Sequence, residues 1–351
     1  MSLTMPDAKT TSPKNTIPSI IPKSMKAIVL TEPNEEITLS EIIIPIPECN
    51  DNELLVKVEY VGLNSIDSLF AKKGFCEWEY PHILGLDAVG VVVKAEKGVF
   101  PNVGERVMWH ASIGDQGVLS EYAKVPNFAV SIVPDCIDAL TAAALPWPGM
   151  TALFALEKLN IVAGETILIE AGAGAVGRFA IQFAKQRGAT VFTTASKHNH
   201  KVLKKLGADA VFDYRDKNIC SNIRRELGPQ GFDAVIDSIG GETTIRNIEL
   251  MHFCGRIACL KPLPAIEQEL MFRKGPIICM ISLSGAWLTN SLCAQQKLSF
   301  MSNLLLDSVA KGSIKAPVVS STAFSAINVS DALNAQANSC IAGKQVVKII
   351  A

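Results

Sequence analysis

The chain has 351 residues, 48% hydrophobic and 19% charged, which is more than one ordinary core organises and points to two domains. A formal net charge of −1 excludes nucleic-acid or membrane-surface binding driven by bulk charge. The nine cysteines (49, 76, 136, 220, 254, 259, 279, 293 and 340) include no C-x-x-C pair, so they read as reduced thiols of a cytoplasmic protein rather than as a disulfide framework.

Residues 1–24 are rich in Ser, Thr, Pro and Lys, with prolines at 6, 13, 18 and 22, and contain no apolar run of the signal-peptide kind. Asp7 is the segment's only acid, which leaves a transit peptide open, yet it has no arginine. The reading is a flexible N-terminal arm, with the folded protein starting near Met25. From there to about residue 147 the chain is strand-rich. Residues 26–30 and 54–61 carry β-branched runs, and 88–94 is almost continuously apolar. Turn-forming clusters at 45–52 and 98–104 separate them, with no helix–strand alternation, so an antiparallel β domain is expected. Residues 142–145 and 151–159 then read as helix, broken by Pro146 and Pro148.

The most informative stretch is residues 164–188. A short apolar run at 166–169 reads as a buried strand, and Gly172, Gly174 and Gly177 follow with the spacing G-x-G-x-x-G. A helical pattern through Val176, Phe179, Ala180 and Phe183 closes at Gly188. The first glycine permits a tight strand-to-helix turn, and the second lets backbone approach a pyrophosphate. The third lets helix pack on strand, and the helix start at Ala175 and Val176 offers free N–H groups to the anion. Three glycines alone are weak evidence, but here they open an alternating series, which is the context a dinucleotide site requires.

Strands are expected at 190–194, 210–212, 233–237, 256–260 and 277–283, with helices at 199–206, 219–227 and 242–251 between them. Six such strands make a doubly wound parallel sheet, so the fold class is α/β. The 277–288 stretch is apolar but interrupted by Ser282, Ser284 and Gly285, too short and too polar for a membrane span. Helices near 296–311 and 329–339 follow, and a last strand at 345–350 is expected to return to the first domain. The organisation is thus an arm (1–24), a catalytic domain from 25–147 and 290–351, and a dinucleotide-binding domain at 148–289.

The end of the second parallel strand discriminates between cofactors. NAD sites place an acid there, about 20 residues past the glycines, to accept from the ribose 2′-OH. This chain reads Thr193-Thr194-Ala195-Ser196-Lys197-His198-Asn199-His200-Lys201, with no acid. A hydroxyl at Ser196 and an ammonium at Lys197 or Lys201 attract a 2′-phosphate, so NADP(H) is the expected cofactor. His198 and His200 lie two residues apart and read as solvated rather than chelating.

Several landmarks in order complete the picture: Met25-Lys26-Ala27, Gly62-Leu63-Asn64-Ser65-Ile66-Asp67, Pro81-His82-Ile83-Leu84-Gly85-Leu86-Asp87, Gly104-Glu105-Arg106-Val107, Ser120-Glu121-Tyr122-Ala123, Ala144-Leu145-Pro146 with Thr151-Ala152, the glycine motif, Leu206-Gly207-Ala208-Asp209, Asp213-Tyr214 and Gly240-Gly241. Over roughly 25–351 the chain resembles the medium-chain dehydrogenase/reductases, in their zinc-free quinone oxidoreductase (zeta-crystallin-like) branch. The resemblance implies a GroES-like catalytic domain beside a Rossmann domain, and a homodimer paired through sheet edges at 277–283. Zinc-dependent relatives have Cys where this chain has Asn64, His-Glu at Leu86-Asp87, and Cys at Trp147, and their four-cysteine structural lobe is missing. No metal is therefore expected.

By the same resemblance Asn64 faces the nicotinamide, Tyr214 lies beside the 2′-phosphate, and the backbone at Ser238, Ile239 and Gly240 borders the ribose and nicotinamide. Some relatives carry Lys where this chain has Asn199, and the fifth strand here runs into Cys259-Leu260-Lys261-Pro262 rather than glycine. Asn64, Asp67 and Thr151 are the candidate catalytic residues, although Asp67 reads equally as a turn cap. Trp78, Tyr80 and Trp147 either wall the pocket or belong to the core. The implied activity is NADPH-dependent reduction of a quinone or α,β-unsaturated carbonyl. The alternatives are an enoyl-thioester reductase, a zinc-less alcohol dehydrogenase, or a nucleotide- or RNA-binding protein without turnover. No nucleic-acid or membrane partner is expected.

Overall fold

Strand pairing sorts the chain into two kinds of sheet, and the sorting follows from burial. In the computed structural model, which describes residues 20–338 and 343–349, the strands Thr166–Ile169, Thr190–Thr194, Ala210–Phe212, Phe232–Asp237, Met251–Cys259 and Ile277–Met280 pair in parallel throughout. Counted in chain order, they lie side by side as 3-2-1-4-5-6. That order is the doubly wound Rossmann arrangement, with its crevice between the first and fourth strands. Helices cover both faces, so the central strands must be apolar on both sides: Ile167, Leu168, Ile169, Ala234, Val235 and Ile236 are all fully buried.

The helix Ala175–Gln186 lays Phe179, Ala180, Phe183 and Ala184 into this core. It packs against the strands Thr166–Ile169 and Thr190–Thr194 and against the helix Pro146–Lys158. Its N-terminus is thereby aimed from the end of the first strand. The expected break is present, since one helix ends at Ala143, but the prolines begin the next helix rather than precede it. Pro146–Lys158 is one helix, because Pro146 and Pro148 sit in its first turn, where no intrahelical N–H is required. The predicted domain boundary at 147/148 falls inside that turn.

A second sheet of seven strands is centred on Glu53–Gly62, which pairs antiparallel with Asp87–Lys94, Tyr122–Pro126 and Lys344–Lys348. Arg106–His110 and Val130–Ile132 extend it on one side, and Val319–Ala323 on the other. The strand Lys344–Lys348 carries the chain's last described segment back into this seven-stranded sheet, against Tyr60, Val61 and Gly62. A small sheet of Ser40–Pro45, Ser24–Leu30 and His82–Ile83 closes one end. Six of these strands, Ser40–Pro45, His82–Ile83, Arg106–His110, Tyr122–Pro126, Val130–Ile132 and Val319–Ala323, lie outside the expected strand runs. All are short, which leaves little local pattern to read.

The predicted arm lies outside the described residues up to residue 19, as do Cys340 and Ile350. Among the described residues no helix is long and apolar enough to cross a membrane.

Candidate active site

The glycine turn is shaped for close approach by a ligand. A Cβ at Gly177 would lie 2.5 Å from the Ala171 carbonyl oxygen and 2.6 Å from the Gly172 Cα, so this glycine lets the helix seat on the turn. A Cβ at Gly174 would meet only the Ala171 carbonyl oxygen, at 3.3 Å, and would otherwise project into the adjoining cleft. Protein packing therefore demands the third glycine, and open space for a ligand accounts for the second. Gly172 sits behind the turn, where a Cβ would strike the Thr193 hydroxyl at 2.0 Å. The helix Ala175–Gln186 begins here with Gly174 as its cap, and its leading N–H groups have no intrahelical partner.

The cleft has a volume of about 470 Å³ and runs from these N–H groups to the first domain. Gly174, Ala175, Val176, Gly177 and Ser238 line one end, and Asn64, Thr151, Trp147 and Lys344 line the other. Two buried hydroxyls on its wall, Thr151 Oγ1 and Ser238 Oγ, have no partner within the protein. Such orphan groups, together with the bare turn at Gly174, fit a polar dinucleotide lying along the cleft. Leu260 and Lys261, which replace the expected glycine after the fifth strand, also line it. Ile239 and Gly240 do not: Asp237 Oδ1 accepts from both of their backbone N–H groups and holds that turn beside the cleft.

Under the first-domain end lies a buried charge cluster. Asn64 Nδ2 donates to Asp87 Oδ2 at 2.8 Å, and Asn64 Oδ1 accepts from Lys344 Nζ. Lys344 Nζ is 3.7 Å from Asp87 Oδ2, with the two side chains 4% and 0% exposed. Asp87 Oδ1 is 2.8 Å from His110 Nδ1, and Asp87 Oδ2 also accepts the Trp147 backbone N–H at 3.0 Å. Burial pushes the Asp87 carboxyl up, but the His110 contact, the Lys344 ammonium and the Asn64 amide more than offset it and hold the group below the usual range. Burial lowers Lys344 from its ordinary value, against the opposing pull of Asp87 and Asp67. The Asn64 amide, expected to face a ligand freely, is thus committed to the protein, and the cation beside it is the group that composition and motif could not reveal.

Asp67 does not line the cleft. Its Oδ2 accepts the Asn64 backbone N–H at 2.7 Å and caps the helix Ser65–Lys73, the turn-cap alternative of the two sequence readings. Burial raises it to about 7, opposed by the Asn64 hydrogen bond and reinforced by the Asp87 charge. Trp78 also lies off the cleft, stacked on His82 with centroids 3.9 Å apart and donating to the Ile113 carbonyl. Trp147 does line the cleft, with its ring 5.1 Å from His110.

At the end of the second parallel strand, Ser196 is buried and its hydroxyl is 3.1 Å from Asn199 Nδ2. His198 and Asn199 reach the cleft, whereas Lys197 lines a neighbouring groove with His200, Arg215 and Arg225, facing Asp213 and Asp216. Tyr214 lines neither; its ring is half exposed, 5.3 Å from the Arg215 guanidinium. Among the described residues no three His, Cys, Asp or Glu side chains gather as a set able to hold a metal ion.

Comparison with known proteins agrees with this geometry. Residues 50–135 match the family model of the alcohol dehydrogenase GroES-like domain, and residues 175–303 match that of the zinc-binding dehydrogenases. A dehydrogenase of Monascus ruber is 32% identical over 279 residues, 72% of this chain and 75% of its own. The chain belongs to the medium-chain dehydrogenase/reductases, in their zinc-free quinone oxidoreductase-like branch. A trans-enoyl reductase of Aspergillus terreus is 36% identical over 50% of this chain and 65% of its own. An NADPH-dependent alkenal/one oxidoreductase of Arabidopsis thaliana is 34% identical over 63% and 58%. The match to these two spans less than two thirds of their length. The solved quinone oxidoreductase of Coxiella burnetii superposes with a TM-score of 0.77 at 28% identity, covering 93% of this chain and all of that one. Of the residues that the resemblance sets at the zinc-dependent members' ligand positions, Asn64 is tied to Lys344 and Asp87 to His110.

The titration of Asp67 gives a stability signature. A carboxyl whose folded value is raised from 3.8 to about 7 favours folding when protonated, so its contribution is present below 3.8 and lost as pH rises through about 7. Asp67→Asn keeps an oxygen for the Asn64 N–H but removes the charge. Wild type should lose stability relative to this variant between pH 4 and 7, by roughly a few kcal/mol at most. Thermal unfolding of both proteins across that range checks it, and parallel pH profiles would refute it.

Proposed function

We propose that the protein reduces a conjugated carbonyl compound, a quinone or an α,β-unsaturated ketone or aldehyde, with NADPH as reductant and without a metal. The observation that carries this reading is the cleft itself. One end is a helix N-terminus and glycine turn suited to a pyrophosphate, and the other is walled by hydrogen-bonding side chains with no cluster of metal donors among the described residues. The relatives point the same way, since their names describe quinone, alkenal/one and enoyl reduction. The enoyl-thioester alternative shares the chemistry of the double bond and differs in the acyl carrier.

When bound, the reduced nicotinamide supplies a hydride. Ala175, Val176 and Gly177 would hold the pyrophosphate through their backbone N–H groups, while Thr151 and Ser238 offer hydroxyls along the nicotinamide end. Lys197 and the adjoining Arg215 and Arg225 would supply positive charge toward a 2′-phosphate, partly countered by Asp213 and Asp216, and Ser196 would add a hydroxyl. Hydride delivered to a simple ketone leaves a full alkoxide charge on one oxygen, which metal-dependent enzymes meet with a Lewis acid. A quinone or enone spreads the same charge through its conjugated system, so a site built of hydrogen-bond donors suffices. Free cysteines among the described residues fit a reducing, cytoplasmic setting.

A panel of simple alcohols, simple ketones, enones and quinones, assayed under one set of conditions, tests the reaction class. Conjugated acceptors should be turned over fastest. Quicker turnover of any simple alcohol or ketone would defeat the reading.

Coenzyme choice is a separate test. Wild type should favour NADPH over NADH in kcat/KM by roughly ten- to a hundredfold, typical of charge-assisted phosphate contacts. Ser196→Asp should erase that preference by placing an acid where the phosphate would lie. Equal kcat/KM for the two coenzymes in wild type sinks it.

The edge strand Ile277–Met280 pairs on one side only among the described residues, and leaves Ile277 and Met280 exposed. An apolar open edge invites pairing with a second copy about a two-fold axis. Light scattering should return about twice 37.7 kDa at micromolar concentration, and a single chain's mass would overturn the dimer.

A further inference from the structure

We propose that Lys344 is a catalytic residue whose ammonium receives the oxygen of the conjugated acceptor and supplies the proton that completes its reduction. This rests on the reading of the reaction given above, and it moves the decisive donor from Asn64 to a residue near the far end of the chain.

Three observations carry it. First, Lys344 lines the cleft together with Asn64, Thr151 and Trp147, although its side chain is only 4% exposed. A nearly buried lysine on the wall of a ligand cleft is costly unless its charge is used or paired. Second, the pairing is incomplete. An ammonium has three N–H donors. Asn64 Oδ1 accepts one, and the Asp87 carboxylate engages the ammonium in a long ion pair at 3.7 Å, so two partners face three donors. Third, the backbone is built to present the residue. Gly343 precedes it at φ +80°, and a Cβ there would lie 2.3 Å from the Val318 carbonyl oxygen. Only glycine makes that turn, and Gly343 itself lines the cleft before the strand Lys344–Lys348 begins.

The step balances as follows. Two electrons and one hydrogen arrive as hydride from the reduced nicotinamide, forming a C–H bond at the conjugated carbon of an enone. The C=C electron pair moves toward the carbonyl and leaves an enolate with its charge on oxygen. One Nζ–H bond breaks as an O–H bond forms, giving an enol that tautomerises to the saturated ketone, and the neutral amine regains its proton from water. For a quinone, the same hydride and the same proton give the hydroquinone. The ammonium thus stabilises the charge as it develops and then neutralises it.

Asp87 acts through Lys344 and is a positioning residue. It anchors the ammonium electrostatically and fixes Asn64, while His110 holds the other oxygen of the carboxylate. The groups facing Lys344 are therefore Asp87 on the strand Asp87–Lys94 and Asp67 at the start of the helix Ser65–Lys73, with His110 behind Asp87. Burial lowers the lysine and the two carboxyls oppose that, so the ammonium is the form lost as pH rises.

The test compares wild type with Lys344→Met and Lys344→Arg. In Lys344→Met, kcat for an enone or quinone should fall by about a hundredfold or more, the lower range for a lost general acid, while the NADPH dissociation constant stays within about twofold. Lys344→Arg keeps the charge but does not give up a proton, so it should retain acceptor binding and lose the fall in kcat/KM at high pH. A second readout needs neither coenzyme nor turnover. Wild-type protein titrated with 4-nitrophenol should bind it as the phenolate, seen as a rise in phenolate absorbance at fixed pH, and Lys344→Met should not. A folded Lys344→Met with kcat within threefold of wild type overturns the proposal. If that variant does not fold, binding of 4-nitrophenol to wild type in its neutral form overturns it equally. A wild type that binds the phenolate but reduces neither enones nor quinones overturns the reading of the reaction, while supporting the ammonium as the anion-receiving group.

Discussion

A lysine ammonium nearly sealed from water has to be met by opposite charge, and meeting it ties this molecule together. Lys344 reaches Asn64 and Asp87 from the last described strand of the chain, 280 residues away from Asn64 in sequence. The contact therefore forms only once the strand Lys344–Lys348 has paired with Glu53–Gly62. Asp87 in turn receives the Trp147 N–H at the start of the helix Pro146–Lys158, which packs against the helix of the glycine motif. One carboxylate thus joins the first-domain sheet, its returning strand and the element leading into the parallel sheet. Losing either partner would strand a buried charge, so the cluster constrains all three at once.

The two ends of the cleft owe their chemistry to different physics. At the glycine turn the donors are backbone N–H groups, whose positions follow from helix geometry and need no particular side chain. At the other end the donors are side chains brought together by non-local pairing. This difference explains what could be read from the sequence. The strand at 166–169, the turn glycines and the helix to Gln186 are local, and the sequence pattern names them almost to the residue. The strand Ser40–Pro45 is half exposed at a sheet edge, and its partner is set by topology rather than by its own pattern.

The site was legible to the same degree. Gly174, Ala175, Val176, Gly177 and Ser238 lie on the cleft beside a strand end or turn that is itself local, and Thr151 reaches it from within the helix Pro146–Lys158. Asp67 was ambiguous because a cap and a catalytic acid look alike in one dimension, and only its hydrogen bond to the Asn64 N–H separates them. Asn64 lines the cleft, but its amide is engaged rather than free, because the partners that occupy it come from the strands at 87 and 344. Lys344 gave no local signal at all. Within Gly343-Lys344-Gln345-Val346-Val347 it looks like a polar residue starting an edge strand, and its burial follows only from which strand it joins.

The charge state of the cluster bears on which acceptors the site suits. Asp87 is held ionised by its neighbours, Lys344 supplies one positive charge, and burial keeps a proton on Asp67 up to about pH 7. Below the pH at which Asp67 ionises the three groups carry no net charge, which suits the neutral carbonyl acceptor proposed above. In the proposed reaction hydride addition would change the balance, since the new negative charge would lie in a cleft whose nearest cation is already oriented and nearly buried. Preorganisation of this kind favours the charged intermediate over the neutral ground state, because no dipole has to turn when the charge appears. Two charged carboxylates beside Lys344 would cancel that advantage by leaving the cluster net negative. In the proposed reaction, a raised Asp67 would thus limit the negative charge against which Lys344 acts, although Asp67 does not line the cleft.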